Sequence, residues 1–402
     1  MDAPFVEVNE AIEAIARGEM VVVCDDDDRE SEGDLTMAAE LATPEALNFI
    51  ARYGRGLVCL PMSDEITDRL SLEQMATHNR SGLGTAFTVS VDAATGVSDG
   101  VSASDRSRTI QVAVDPASNP EDLVSPGHVF PLKAKPGGVL RRAGHTEAAV
   151  DLARLAGRQP AGVICEIMKD DGTMARVPDL KEFALDHRIK MITVAQIIEH
   201  RLATETLIRC AAESRLPTKY GDFRVRVYEN DVEDLTHLAL IVGEPEGKDD
   251  VLVRVHSSCV TGDAFHSLRC DCGEQLEQAL ISLREEGQGV LVYMHQEGRG
   301  IGITNKIRAY ALQDEGLDTV EANETLGLAP DLRDYGIGAQ ILKDLGLKGI
   351  RLMTNNPTKV VGLSGFGLEI AGRVPLETSP NSENERYLRA KHKKMNHIFE
   401  NL

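Results

Sequence analysis

The chain contains no tryptophan, and aromatic residues make up only 4% of its 402 positions. Apolar residues still reach 42%, an ordinary share for a globular protein. No stretch approaches the roughly 18 consecutive apolar residues of a membrane-spanning helix, so no membrane partner is expected. Positive charge is the minority: 43 Lys and Arg stand against 64 Asp and Glu, a net charge of −21. That balance argues against a nucleic-acid surface, which would show a basic face. It leaves room for phosphorylated small molecules, which need only a local cluster of Arg, Lys, metal or helix N-termini. The opening Met1-Asp2-Ala3-Pro4 has neither a basic nor an apolar leader region, so no secretory signal is expected. Cysteine is sparse, with seven in all. Cys24, Cys59, Cys165 and Cys210 sit singly in apolar segments and read as reduced core residues, which points to a cytoplasmic protein.

What is present falls into two halves. In the first, Pro4 to Arg17 has helical apolar spacing closed by Gly18. Met20 to Cys24 is a continuous apolar run, the mark of a buried strand. The strand empties into Asp25-Asp26-Asp27-Asp28-Arg29-Glu30-Ser31-Glu32-Gly33-Asp34. Such a run reads as a solvated acidic turn or as a cation site. Its place at the C-terminal edge of a buried strand, with one Arg among carboxylates, suits a hard divalent cation beside a phosphate or sugar oxygen. Leu57 to Leu60, Ala86 to Val91, Ala161 to Glu166 and Met191 to Val194 read as strands. Thr109 to Val114 fits a strand or a short helix, and Leu180 to Arg188 a helix. Pro126 to Pro131 reads as a rigid loop presenting His128. His145 and Thr146 precede a helical pattern from Ala148 to Ala156, a natural phosphate position. Gln196 to Ser214, without Pro or Gly, reads as a semi-rigid connecting helix. Arg224 to Tyr228, Leu238 to Val242 and Val251 to Val255 read as strands leading into the second half's motifs.

The second half centres on His256-Ser257-Ser258-Cys259 and Cys270-Asp271-Cys272. No fourth cysteine follows, so a closed four-thiolate site is excluded. Three soft ligands with one open position suit a catalytic zinc, although a redox pair shares the Cys-x-Cys spacing. Downstream stand Gln296-Glu297-Gly298-Arg299-Gly300-Ile301-Gly302, Asn305 to Tyr310, Asp331-Leu332-Arg333-Asp334-Tyr335-Gly336 and Thr354-Asn355-Asn356-Pro357-Thr358-Lys359. The glycine loop is not a dinucleotide fingerprint, because Ile303 falls where the third glycine is needed.

From about Leu216 onwards this ordered set resembles GTP cyclohydrolase II, which opens the guanine ring of GTP with release of formate and diphosphate. The resemblance implies Zn2+ on Cys259, Cys270 and Cys272. It implies GTP contacts from Arg254, His256, Ser257, Ser258, Gln275, Glu297, Arg299, Thr319, Thr354 and Lys359. Glu297 would read the guanine N1–H and amino group. Asp331 matches the family's proton acceptor and Arg333 the residue usually named its nucleophile. A guanidinium is a poor nucleophile, being protonated at all ordinary pH, and Tyr310 is a rival.

The first half resembles 3,4-dihydroxy-2-butanone-4-phosphate synthase. The acidic loop, Gly84 to Val89, Ser102 to Arg106, Pro126 to Leu132, Gly137 to Glu147 and Gly172 to Arg176 carry the likeness. The acidic loop departs from the family's usual pattern at Asp27 and Ser31. The resemblance implies conversion of ribulose 5-phosphate, with formate lost, and Mg2+ or Mn2+ on Glu30 and His145. Substrate contacts would come from Arg29, Glu30, Asp34, Arg142, His145, Thr146 and Glu166. His128 and Glu166 would be essential in catalysis, as residues able to give and take protons.

The expected fold is α/β in two domains, 1–202 and 203–402, each a mixed sheet flanked by helices. The family resemblance implies a homodimer. Two other functions stay open on sequence alone: a cyclohydrolase with an inactive first domain, and a zinc-stabilised GTP-binding regulator.

Overall fold

The computed structural model describes residues 4–25, 31–77, 79, 85–230, 232, 235–328, 336–356, 368–394 and 398, without the side chains of 299, 386, 390 and 393. The chain divides into two compact units, Met1–Arg201 and Leu202–Leu402. Each unit is built on one mixed sheet.

In the first unit the strands are β1 (Val21–Cys24), β2 (Gly33–Ala38), β3 (Cys59–Met62), β4 (Val91–Ala93), β5 (Leu123–Lys133), β6 (Gly162–Glu166) and β7 (Lys190–Thr193). Their order across the sheet is β4-β5-β3-β6-β2-β1-β7. β1 pairs antiparallel with β2 and parallel with β7, which explains its unbroken apolar run: all four residues are buried. Leu35, Met37, Leu60, Val163 and Cys165 join Val22 and Cys24 in one core on one side of the sheet. Val21 and Val23 face a second core with Leu152 and Ile192. The register Asp34↔Glu166 and Val23↔Asp34 carries two carboxylates to the same edge of the sheet.

In the second unit the strands are β8 (Ile208–Thr218), β9 (Gly221–Asn230), β10 (Thr236–Val242), β11 (Val251–Ser257), β12 (Gly289–Met294), β13 (Gly349–Met353) and β14 (Glu369–Val374). The order is β14-β13-β11-β12-β10-β9-β8, with parallel pairing from β14 to β12 and antiparallel pairing from β12 to β8. The parallel half places the ends of β11, β12 and β13 side by side, where an α/β sheet offers its ligand site. Among the described residues no helix is long and apolar enough to cross a membrane.

One alternative left open by the sequence is resolved, and several expectations are corrected. Thr109–Val114 is the end of a helix, Ala103–Val114; Ser102 caps it by accepting from Asp105 N–H, and Ile110, Ala113 and Val114 are buried. Pro126–Pro131 lies within β5 rather than in a loop, and the carbonyl of Pro131 accepts from Thr88 N–H. The strand expected over Ala86–Val91 is realised as bridges at Phe87 and Thr88, with the ladder starting at Val91. The connecting helix ends at Thr204, because Leu207 N–H is taken by Gln340 and residues from Ile208 pair with β9. Cys210 is exposed, not core: β8 is an edge strand with one neighbour and little cover. Cys24, Cys59 and Cys165 are free and buried, and burial pushes the thiols of Cys24 and Cys165 up to about 12.

Candidate active sites

In the first unit, β2 contributes Asp34, β6 contributes Glu166, and the helix His145–Leu155 contributes His145 and Thr146 at its first turn. His145 Nδ1 lies 3.7 Å from Asp34 Oδ1, and both side chains are almost fully buried. A buried imidazole beside a buried carboxylate is a donor set that fits a hard divalent cation with mixed oxygen and nitrogen ligands. Glu166 Oε2 accepts from Leu57 N–H at 2.8 Å. Arg142 is engaged within the protein: Nη1 meets Glu147 Oε2 at 2.6 Å and Nη2 donates to Thr85 Oγ1 at 3.2 Å. Arg29 and Glu30 lie outside the described residues.

His128 is held by a different carboxylate. Its Nδ1 lies 2.8 Å from Asp92 Oδ2, and its backbone N–H donates to Asp92 Oδ1 at 3.0 Å. Asp92 is buried, while the imidazole is half exposed. Gly100, at φ +82°, closes over the pair: a Cβ there would meet Asp92 Oδ2 at 2.2 Å and His128 Nδ1 at 2.6 Å. Asp105 fixes that glycine by accepting Gly100 N–H at 3.2 Å and Ser98 Oγ–H at 2.7 Å. Sequence reading missed Asp92, which lies far from His128 along the chain and carries no local motif.

In the second unit, β11 delivers Arg254, His256 and Ser257. Cys259 follows at the start of a short turn of helix, and Cys272 opens the helix Cys272–Glu286. The Sγ atoms of Cys259, Cys270 and Cys272 all lie within 4.8 Å of one another. Gly262 makes this possible, since a Cβ there would stand 2.9 Å from Cys270 Sγ and 3.1 Å from Cys259 Sγ. Hydrogen bonds from Cys270 and Cys272, helped by Lys306, drive the Cys259 thiol far below its ordinary range. The hydrogen bond with Cys259 in turn raises Cys270 to about 11 and pushes Cys272 up as well. Three sulfurs converging in this way, with the position beyond them open to a cleft, fit a three-cysteine metal site.

Asp263 organises the turn. It accepts from Cys259 N–H at 3.0 Å and Tyr293 O–H at 2.7 Å, and meets His256 Nε2 at 3.1 Å. His256 is thereby buried and stacked on Tyr293 rather than open. Lys306, which lies in the Asn305 to Tyr310 stretch and had no role assigned from sequence, is central: Nζ lies 3.0 Å from Cys259 Sγ and 2.8 Å from Glu297 Oε1. Burial works against its charge, but Glu297 and Cys259 outweigh that and hold the ammonium above its ordinary range. Glu297 is accordingly occupied, its Oε2 accepting from Val260 N–H at 2.7 Å.

The cysteines open on a cleft. Arg254, His256, Ser257, Ser258, Gln275, Tyr310, Thr319 and Thr354, all expected from sequence, line it. Burial pushes the Tyr310 phenol up to about 12, so at neutral pH it is a hydrogen-bond donor rather than an anion. Asp331, Arg333, Lys359 and the side chain of Arg299 lie outside the described residues.

Comparison with known proteins agrees with this division. Residues 9–200 match the family model of 3,4-dihydroxy-2-butanone 4-phosphate synthase, and residues 209–375 that of GTP cyclohydrolase II. The chain is 58% identical over 398 residues to riboflavin biosynthesis protein RibBA of Aquifex aeolicus, covering 98% of each chain. It is 54% identical over 396 residues to the protein of the same name in Bacillus subtilis, covering 98% of this chain and 99% of that one. A solved two-domain 3,4-dihydroxy-2-butanone 4-phosphate synthase from A. baumannii superposes with a TM-score of 0.72 at 37% identity, over 93% of this chain and all of that one.

Proposed function

The chain belongs to the RibBA family of bifunctional riboflavin-biosynthesis enzymes, a lyase domain followed by a hydrolase domain, and from that premise we propose which residues perform each reaction. Residues 1–202 convert D-ribulose 5-phosphate to 3,4-dihydroxy-2-butanone 4-phosphate and formate. Residues 203–402 open GTP to a diaminopyrimidine ribotide, formate and diphosphate. Both act in the cytoplasm, in a homodimer.

In the lyase half, Glu30 and His145 would hold Mg2+ or Mn2+, with Asp34 beside His145; when bound, the cation would supply Lewis acidity. Arg29, Asp34, Arg142 and Thr146 bind the substrate, with Thr146 at a helix N-terminus that favours its phosphate. His128 and Glu166 move the protons. Asp92 holds Nδ1 of His128, so Nε2 is the nitrogen presented to the substrate. Leu57 N–H fixes the Glu166 carboxyl.

In the hydrolase half, Cys259, Cys270 and Cys272 would hold Zn2+, which would supply Lewis acidity and a nucleophilic water for opening the guanine ring at C8. Arg254, His256, Ser257, Ser258, Gln275, Glu297, Arg299, Thr319, Thr354 and Lys359 surround the nucleotide. Lys306 orients Glu297 through its 2.8 Å contact with Oε1. Asp331 accepts the proton, Tyr310 donates to the phosphate region, and Arg333 offsets charge on the departing diphosphate.

The observation that most supports this reading is the convergence of three thiols on a cleft lined by residues that the sequence assigned to GTP. Zinc chelation tests it. Formate release from GTP should fall to background while far-UV circular dichroism and formate release from ribulose 5-phosphate with Mg2+ persist. Unfolding of the second unit on chelation would instead mark a structural zinc and support the regulatory reading.

A further inference from the structure

The cyclohydrolase match ends at residue 375, yet the cleft continues past it. The helix Glu385–Lys394 contributes Tyr387 and Lys391 to the lining. Lys391 is only 8% exposed, and lysine is rarely buried without a partner. Its ammonium meets Asp271 Oδ1 at 2.7 Å. Asp271, itself 1% exposed, stands between two of the metal-site cysteines, where an unmatched carboxylate would be costly. Its other oxygen accepts from Gln275 Nε2 at 2.7 Å, and Gln275 Oε1 accepts from Arg254 Nη2 at 2.7 Å. A polar chain therefore runs from the C-terminal helix to two nucleotide-site residues. The helix has a second anchor one turn on. Lys394 pairs with Asp318 and, at 2.9 Å, with Glu321, at the start of the helix Thr319–Thr325 that bears Thr319 of the same cleft.

We propose that this C-terminal helix is a wall of the GTP site, in which Tyr387 bounds the cleft and Lys391 is a positioning residue that fixes Gln275 and Arg254 through Asp271. The inference rests on the GTP reading above. Without the helix, Asp271 loses its counter-charge, Gln275 loses a fixed acceptor, and the Arg254 guanidinium loses the side-chain carbonyl that aims it. The cost falls on binding of the nucleotide more than on the chemical step.

The test uses the full-length, zinc-loaded chain. Because Lys391→Met alone strands a buried carboxylate, the variants are Tyr387→Ala, the double variant Lys391→Met/Asp271→Asn, and Lys391→Arg. The readouts are KM and kcat for formate release from GTP, Kd for α,β-methylene-GTP, zinc content, and the lyase reaction of the same preparation. Tyr387→Ala and the double variant should raise KM and Kd about tenfold, with a smaller effect on kcat, zinc at the wild-type level and a normal lyase rate. Lys391→Arg, which keeps the charge, should recover most of the affinity. Unchanged KM and Kd in both variants would overturn the inference, and so would loss of zinc, which would make the helix a brace for the metal loop. A wild type that binds no analogue and turns over no GTP would overturn the GTP reading with it.

Discussion

At the residue scale, chemistry rests on short polar contacts between partners distant in sequence. Asp92 and His128 form such a pair, and its geometry dictates which ring nitrogen faces outward. Asp92→Asn keeps the shape but turns an acceptor into a donor, favouring the wrong tautomer. We expect kcat for ribulose 5-phosphate to fall about 100-fold with KM little changed, and Asp92→Glu to recover part of the rate. Formate assays on both substrates check this, since the GTP reaction should be untouched. The three cysteines were legible because their spacing is local. Asp92, Lys306 and Lys391 were not, because a paired Asp or a buried Lys has no motif; only folding sets Lys306 against Cys259, or Lys391 against Asp271.

At the element scale, sequence patterning identified β1 because both its faces are buried, and a strand without a polar face cannot be mistaken for a loop. It misjudged β8, whose exposed residues show no apolar pattern and whose strand state comes from pairing with β9 alone. It left Thr109–Val114 open because β-branched residues suit either state, and the deciding signal was the Ser102 cap upstream. Between the helix Val194–Thr204 and β8 the chain is ordered by one buried side chain. Gln340 donates to Leu202 O at 3.0 Å and Glu205 O at 2.9 Å, and accepts from Leu207 N–H at 2.8 Å. Gln340→Leu leaves three backbone groups without it and should cost about 3 kcal/mol, read as a lower urea midpoint for the second unit.

At the scale of the whole molecule, the two-unit architecture was legible because the motifs of each half occupy their own stretch of chain. Stability will depend on pH through at least one buried group. Burial, then His295, lowers the His237 pKa from 6.5 to about 4, and His237 Nδ1 accepts from His295 N–H at 3.1 Å, which requires the neutral ring. The unfolded chain therefore takes up this proton first. The contribution is complete above about pH 6.5 and is lost as pH falls towards about 4, up to about 3 kcal/mol. Unfolding free energies of wild type and His237→Gln should converge across that window; parallel profiles would contradict the assignment.

The central claim is that two independent reactions share one chain. The most direct measurement is formate release with each substrate supplied alone, in the presence of Mg2+ and Zn2+, for wild type, His128→Ala and Cys270→Ser. Wild type should release formate from both substrates, His128→Ala only from GTP, and Cys270→Ser only from ribulose 5-phosphate. A folded, Mg2+-saturated wild type that releases none from ribulose 5-phosphate would contradict the account and leave a GTP cyclohydrolase joined to an inactive domain.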